Sequence, residues 1–444
     1  MKEEYRSYIE EAYDIVKHAA NVIGPRLPGG ENERKFAKYM ADKLGAIGIK
    51  AKTEPFAVSP RASIGGIPYI GTFGFIVSIL IYFAFGIGAL WYGMALFTCA
   101  TWFWIISSVF LYKRWCDEFF PRCKSQNTYG ELLPPDGKYD YTIFLSGHTD
   151  TSWNWNHSVK TYVHKRNIMV GVIGIYAKVG FGAVCYVFLT LVCVFMAFMR
   201  CPWFYDLAWR NAIADSAAYH NFIAALHFLP LITAWGCSFL YMWNNKKEEN
   251  ASPGAMDNAT GIGLSYAVTK YFHDNPDKMP KNCRIIDFNC GAEEAGLRGS
   301  MAFADEHRGQ DILKNAWNIN IDSVADAEYF EVVIKDDWQF TRFDKDLEQM
   351  FKDTFKELQI ESKTGGCIHN PVGGCDSTPF TKAGVKSVTF AAQNPMLTYY
   401  YHTFRDTPDR FSPETVGLGF EVVLGVIDKI AKFQEEHGYN GVNN

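Results

Sequence analysis

The chain has 444 residues and a formal net charge of −5. That length suits one large α/β domain or two smaller ones, and the charge lacks the basic excess of a nucleic-acid binder. Its eleven cysteines are an odd count without zinc-finger spacing, which suits reduced, mostly buried thiols in a cytosolic setting better than a disulfide framework.

The amino-terminal stretch MKEEYRSYIEEAYDIVKHAAN is charged and amphipathic and has no signal-peptide core. Residues 1–62 read as a helix, a Gly-rich turn (GPRLPGGENE), a second helix and a short strand near AKTEPFAV. Residues 64–112 then contain no Asp, Glu, Lys, Arg or His, room for two spans of ~20 residues each. Gly86, Gly88 and Gly93 lie near the middle as candidates for the turn. Residues 113–166 give a polar approach and a clear strand, YTIFLSG, ending at His148. A second apolar run, 167–199, carries only Lys178, and a third, 221–243, only His227. Core helices rarely run this long without a polar face, so these runs read as membrane spans. Trp203, Phe204, Tyr205 and Trp209 between the last two suit an interfacial segment.

From residue 244 onward strands alternate with helices. DNATGIGLSYAVTKYF has helical spacing from Asp257, and CRIIDFNC is an apolar strand leading to Glu293 and Glu294. NAWNINI leads to Asp322, KDLEQMFKDTFKELQ is an amphipathic helix, and KSVTFAAQ is a strand before a loop holding His402. The pattern predicts an α/β fold with a central, largely parallel sheet and helices on both faces. Its catalytic domain is assembled from residues 1–62, 113–166 and 244–444. Transmembrane hairpins at 63–112 and 167–243 interrupt it, about four inserted helices in all.

Five residues of metal-ligand type recur in order: His148 in GHTD, Asp257 in GAMDNATG, Glu294 in GAEEAG, Asp322 in NINIDS and His402 in YYHTFRDT. Each alone has an ordinary reading, such as a helix N-cap for Asp257 or a packed loop histidine for His402. Together they lie past strand ends or at a helix start, the rim where open α/β sheets build sites. Carboxylate oxygen and imidazole suit zinc-like cations, and an Asp at the position of Asp257 can bridge two of them. Two adjacent acids, Glu293 and Glu294, would repel if buried unpaired; metal binding by one leaves the other free to act as general base. Asp150 is placed to orient His148.

These motifs, with SPGAMDNATG, CGAEEAGLRGS, GGCDSTPFTKAGV and the early GPRLPGG turn, resemble metallopeptidase family 28. That family comprises dizinc exopeptidases that include bacterial leucyl aminopeptidases and glutamate carboxypeptidase. The likeness covers residues 1–60, roughly 135–152 and 250–435. It implies a three-layer zinc-exopeptidase fold and two Zn²⁺. His148, Asp257 and Asp322 would hold one zinc and Asp257, Glu294 and His402 the other, with Glu293 as base and Asp150 behind His148. The family's usual Ser-Asp-His before Pro-Phe reads Cys375-Asp376-Ser377 here, which removes that histidine and leaves Asp376 as a candidate at the substrate site. His148 and Asp257 stand 109 positions apart, closer to each other in simpler members; an insert there is tolerable if its ends return to one place, as a membrane hairpin's do.

The expected activity is therefore a membrane-anchored aminopeptidase acting on peptide substrates, with the bilayer as its other partner. A carboxypeptidase would need a fixed cation for the terminal carboxylate, and Arg405 and Arg298 are the candidates. Two further readings keep the same fold: a glutaminyl cyclase, and a catalytically silent membrane interaction protein. Arg61, Lys113, Arg114, Lys160, Lys165, Arg166, Lys246 and Lys247 flank the apolar runs on the catalytic side, against Arg200 and Arg210 on the other. By the positive-inside rule the catalytic domain faces the cytosol.

Overall fold

The computed structural model describes residues 2–84, 86–155, 168–241, 251–371, 373–395 and 400–437. Its frame is a nine-stranded mixed sheet. In chain order the strands are β1 (Ala51–Val58), β2 (Cys123–Leu132), β3 (Tyr141–His148), β4 (Cys283–Cys290), β5 (Ala316–Val324), β6 (Phe330–Asp336), β7 (Thr341–Arg342), β8 (Cys367–Asn370) and β9 (Lys386–Ala392). The spatial order is β1-β2-β4-β3-β5-β9-β6-β7, with β8 also paired to β6. The central run β4-β3-β5-β9 is parallel; β2 joins β4, and β6 joins β9, in antiparallel sense.

The helices of this layer are α1 (Arg6–Lys17) and α2 (Glu31–Ala46) before the first apolar run. Then come two hydrophobic helices, α3 (Ile67–Ala84) and α4 (Gly88–Trp104), the latter extended by a looser turn to Phe110. α5 (Ile168–Met199), α6 (Ala217–Ala225) and α7 (Leu229–Ser238) follow, and the chain returns to the sheet with α8 (Thr260–Asp274), α9 (Arg298–Glu306), α10 (Lys345–Glu357) and α11 (Pro413–His437). Every residue of β3 and β4 is buried, as parallel strands covered on both faces must be. The period of two divides them. Ile143 and Leu145 join the core under α1, α2, α8, α10 and α11, whereas Phe144 points the other way, to Phe288, Phe303 and Phe380.

β2 is the strand that the polar approach concealed. Ser125, Asn127 and Thr128 are all buried, so the strand offers no apolar alternation to read. Two of these side chains are matched by distant partners: Asn127 Nδ2 donates to Gly299 O at 2.9 Å and Ser125 Oγ to Glu33 at 2.9 Å.

The apolar helices form a second hydrophobic cluster, separate from the sheet's. Among the described residues, three single helical stretches are long and apolar enough to cross a membrane: Ile64–Phe83, Gly88–Phe110 and Lys178–Met199. The run expected at 221–243 is apolar and long enough only as a bent pair of helices. It breaks into α6 and α7, bent by 50°, where Pro230 opens the second helix and cannot continue the first. Gly93 lies inside α4 instead of in the turn, whereas Gly86 precedes that helix and Gly88 opens it. Small residues let these helices approach closely. A side chain at Gly74 would meet Cys237 Sγ at 2.4 Å, and one at Gly236 would meet Cys185 Sγ at 2.2 Å. Of the flanking cations, Lys160, Lys165, Arg166, Lys246 and Lys247 fall outside the described residues.

Gly236→Leu should therefore separate α5 from α7. Overpacking at so close a contact costs about 1–3 kcal/mol, to be read as a lowered melting temperature of detergent-purified protein. Gly93→Leu, where a Cβ would meet nothing within 4 Å, should leave it unchanged.

Candidate metal centre

The parallel strands deliver their carboxyl ends to one rim. His148 is the last residue of β3, Asp322 lies near the end of β5, Glu293 and Glu294 follow β4 by three and four residues, and His402 lies in the loop after β9. Asp257 precedes α8 in a non-helical conformation (φ −113°, ψ 89°), and the bond to Asn258 is cis. Two residues hold it there. Asp406 accepts the backbone N–H of Met256 at 2.8 Å and that of Asp257 at 3.1 Å. Asn258 donates to Ile321 O at 2.9 Å and accepts from the backbone N–H of Ser323 at 3.2 Å, tying Asp257 to the strand that carries Asp322.

The Asp257 carboxylate consequently faces two imidazoles. Its Oδ1 lies 3.0 Å from His148 Nε2 and its Oδ2 lies 2.9 Å from His402 Nε2. Asp322 Oδ1 lies 3.8 Å from His148 Nε2, and Glu294 Oε1 lies 3.2 Å from His402 Nε2. Two three-residue groups result, His148–Asp257–Asp322 and Asp257–Glu294–His402, sharing Asp257, with the ligand atoms of each within 4.8 Å of one another. The donors, imidazole nitrogen and carboxylate oxygen, are those zinc takes. Glu294 Oε1 is buried with no hydrogen bond donated to it, a position that a cation satisfies. The residues present thus fit a pair of divalent ions sharing one carboxylate.

Around this group lies a supporting shell. The Asp150 carboxylate accepts the backbone N–H groups of Glu293 and Glu294, each at 3.0 Å, and its Oδ1 lies 3.4 Å from His148 Nδ1. One buried side chain therefore sets the loop of both acids and lies behind the histidine. Glu33, also buried, accepts the backbone N–H of Ala292 at 2.7 Å and of Gly29 at 2.8 Å. Arg26 donates to five main-chain carbonyls: Thr149 at 2.8 Å, Pro253 at 2.8 Å, Gly254 at 2.9 Å, and Ala19 and Gly24 at 3.2 Å. Thr149 and Pro253 flank the second apolar insert, so Arg26 holds its two ends together and brings His148 to Asp257.

Burial shapes the charges. It pushes the carboxyls of Glu293 and Glu294 above their usual range and that of Asp322 up to about 7. In Asp257 burial acts the same way, but hydrogen bonds from His148 and His402 outweigh it and hold the carboxyl low. Burial would lower His402, yet the Glu294 charge and the Asp257 hydrogen bond lift it to about 10. Divalent ions bound here would compete with protons for these groups.

Comparison with known proteins places this geometry. Residues 242–427 match peptidase family M28. Four of the five candidate ligands lie within the M28 segment, and His148 reaches it from outside through the parallel pairing of β3 with β4 and β5. The chain is 26% identical over 192 residues to aminopeptidase YwaD of Bacillus subtilis (strain 168); the match covers 42% of this chain and spans only 39% of that protein. Among solved structures, a zinc aminopeptidase from Bacillus subtilis superposes with a TM-score of 0.52 at 14% identity, over 95% of each chain. An aminopeptidase from Aneurinibacillus sp. strain AM-1 gives 0.50 at 12%, covering 96% of this chain and 93% of that one. A glutaminyl cyclase from Bacteroides thetaiotaomicron gives 0.50 at 14%, covering 94% and 97%. These three share the fold.

Other expected residues of the M28 segment sit differently. Asp376 is fully buried, accepting from Ser300 Oγ and, at 2.7 Å, from Cys290 Sγ. Arg298 is buried too. It donates to Tyr112 O at 2.6 Å, Lys113 O at 3.3 Å and Asp117 Oδ1 at 3.1 Å, which commits its guanidinium to the end of the first apolar hairpin. Arg405 is half-buried, with its guanidinium 5.5 Å from the Phe404 ring. Sequence reasoning passed over Arg26, Glu33 and Asp406. It also passed over Tyr401, whose ring stacks 3.8 Å from that of His402, and Trp155, whose backbone N–H donates to His402 O at 2.9 Å. The one available signal was that Arg26 and Glu33 fall in the GPRLPGGENE turn.

Arg26→Ala should strand several buried carbonyls, at about 1–3 kcal/mol each. The melting temperature should fall and divalent-metal content, measured by elemental analysis, should drop with it. Arg26→Lys should restore only part of both, since an ammonium has three donors where the guanidinium has five.

Proposed function

We propose that this protein is a membrane-anchored dizinc aminopeptidase. The observation that carries the reading is the Asp257 carboxylate, each of whose oxygens meets one histidine of a three-residue group. His148, Asp257 and Asp322 would hold one zinc, and Asp257, Glu294 and His402 the other. Such a pair, when bound, supplies Lewis acidity toward water and the scissile carbonyl.

The chain's own residues supply the rest. Glu293 takes the proton of the attacking water and later gives it to the leaving amine. Burial raises its pKa above the usual carboxylate range, which strengthens it as a proton acceptor. Asp150 keeps Glu293 and Glu294 in register through their backbone N–H groups. Asp150, Asp257, Glu293, Glu294 and Asp322 exceed the charge of two zinc ions by one negative unit, which favours a substrate ammonium. The commitment of Arg298 to Tyr112, Lys113 and Asp117 removes one of the two cations that a carboxypeptidase would need. Arg405 keeps that second reading open, and two blocked peptides separate the readings. A free-amine, amidated peptide should be cut and its N-acetylated, free-carboxyl counterpart should not. The reverse result overturns the aminopeptidase, and cyclisation of an N-terminal glutamine without peptide cleavage would assign a cyclase instead.

Glu293→Gln should lower kcat by ~10²–10⁴-fold while leaving metal content intact, because Glu293 lies outside both ligand groups. Asp257→Asn should lose metal as well as activity. Elemental analysis beside a peptide assay distinguishes the two.

The apolar helices would anchor the enzyme, with the catalytic layer in the cytosol. Arg61, Lys113 and Arg114 lie at the sheet end of the first hairpin. Arg200 lies at the opposite end, where its carbonyl accepts from Tyr92 Oη at 2.7 Å, close to the start of α4. Labelling of the half-buried Cys367 by an impermeant thiol reagent should require cell lysis; labelling of intact cells overturns the orientation.

A further inference from the structure

The foot of the first apolar hairpin carries three large aromatic side chains that no protein core explains. Beyond α4 the chain turns at Tyr112 and folds back along the hairpin's flank. Cys116 and Phe120 point inward, joining the helical cluster, with Phe120 5.1 Å from the Trp104 ring. Trp115 and Phe119 point outward, 62% and 83% exposed. Trp115 also stacks on Phe103 (5.9 Å, 14° between planes), an outward-facing residue of the apolar stretch Gly88–Phe110, so the tryptophan continues that stretch's own exposed face. The third aromatic comes from the sheet. In the turn between β6 and β7, Gln339 Nε2 donates to Phe110 O at 2.8 Å and the Trp338 ring meets Phe110 edge-on at 4.5 Å. The next residue, Phe340, is 83% exposed and has φ +51°.

A bulky residue in the left-handed region is conformationally costly, and a water-exposed ring offsets none of that cost. A ring placed in the headgroup–acyl boundary does, since aromatic side chains favour that layer. Lys113, exposed beside them and without an ion pair among the described residues, suits lipid phosphate.

We propose that Trp115, Phe119 and Phe340 form a collar that seats the peptidase layer itself in the interfacial region of the bilayer, so that the sheet lies against the membrane and does not hang from it on a flexible stalk. The partner is phospholipid. The fixed bonds from Gln339 to Phe110 and from Arg298 to Tyr112, Lys113 and Asp117 make the seat rigid. Since Arg298 follows Glu294 by four residues, the loop of the candidate base and ligand is held at a set height above the lipid.

This inference rests on the membrane reading, and one experiment separates the two. A photoreactive benzoylphenylalanine is placed singly at Phe340, Phe119, Leu96 or Leu133 in the full chain in phospholipid nanodiscs, and lipid adducts are read by mass spectrometry. Leu96 is 74% exposed on α4 and reports on the membrane reading alone. Leu133 follows the far end of β2, roughly 30 Å from the hairpin at the rise of an extended strand, and reports background. Adducts at Leu96, Phe340 and Phe119 but not Leu133 are expected. Adducts at Leu96 alone overturn the collar and leave the membrane reading standing. No adduct at Leu96 overturns both, and adducts at Phe340 no more frequent than at Leu133 overturn the collar.

Discussion

Asp257 must present one carboxylate oxygen to His148 and the other to His402, and much of the molecule is arranged around that requirement. The three residues come from segments far apart in the chain, two of them separated by an apolar insert. No helix conformation aims the carboxylate both ways, so the residue before α8 leaves helical geometry and is pinned by Asp406 and Asn258. A buried acid between two buried imidazoles is also an electrostatic constraint. The remaining acids of the cluster are held above their ordinary pKa by burial, and the arrangement is stable only where protons or cations balance them.

Tolerance of the inserts follows from closure. An insert of any length is compatible with a site if its ends meet. Arg26 performs this for the second insert by binding carbonyls on both flanks, and the backbone bond from Ser252 N to Ser152 O at 3.1 Å adds to it. At the first insert, Arg298 grips the exit, while the Trp104 indole N–H donates to Ala62 O at 2.6 Å and joins exit to entry. Arginine suits both places, because its planar fork reaches several carbonyls at once. The helices then pack among themselves through glycine contacts, independently of the sheet's core.

Much of this was legible in the chain. The strands YTIFLSG and CRIIDFNC announce themselves because both faces are buried, and they appear as β3 and β4. Four of the five candidate ligands follow strands and Asp257 stands before a helix, and alternating strands and helices predict that they share a rim. Long uncharged runs identify helices of membrane-crossing length by composition. The strand β2 was hidden because several of its buried residues are polar, Ser125 and Asn127 being matched by distant partners, and the bend between α6 and α7 was hidden because hydropathy sums over a break that Pro230 imposes.

What the sequence determined by itself is therefore local: periodicity, the identity and order of the acids and histidines, and the placement of apolar length. Each depends on residues within a few positions of one another. Tertiary structure decided whatever depends on pairs far apart. It alone shows that Arg26 and Glu33 hold the backbone beside the candidate ligands, that Asp376 is bonded to Ser300 and Cys290, and that Arg298 is bonded to the foot of the first hairpin. A charged side chain's role is set by the partners within about 3 Å of it, and for these residues the deciding partners lie far along the chain, where no local pattern can point to them.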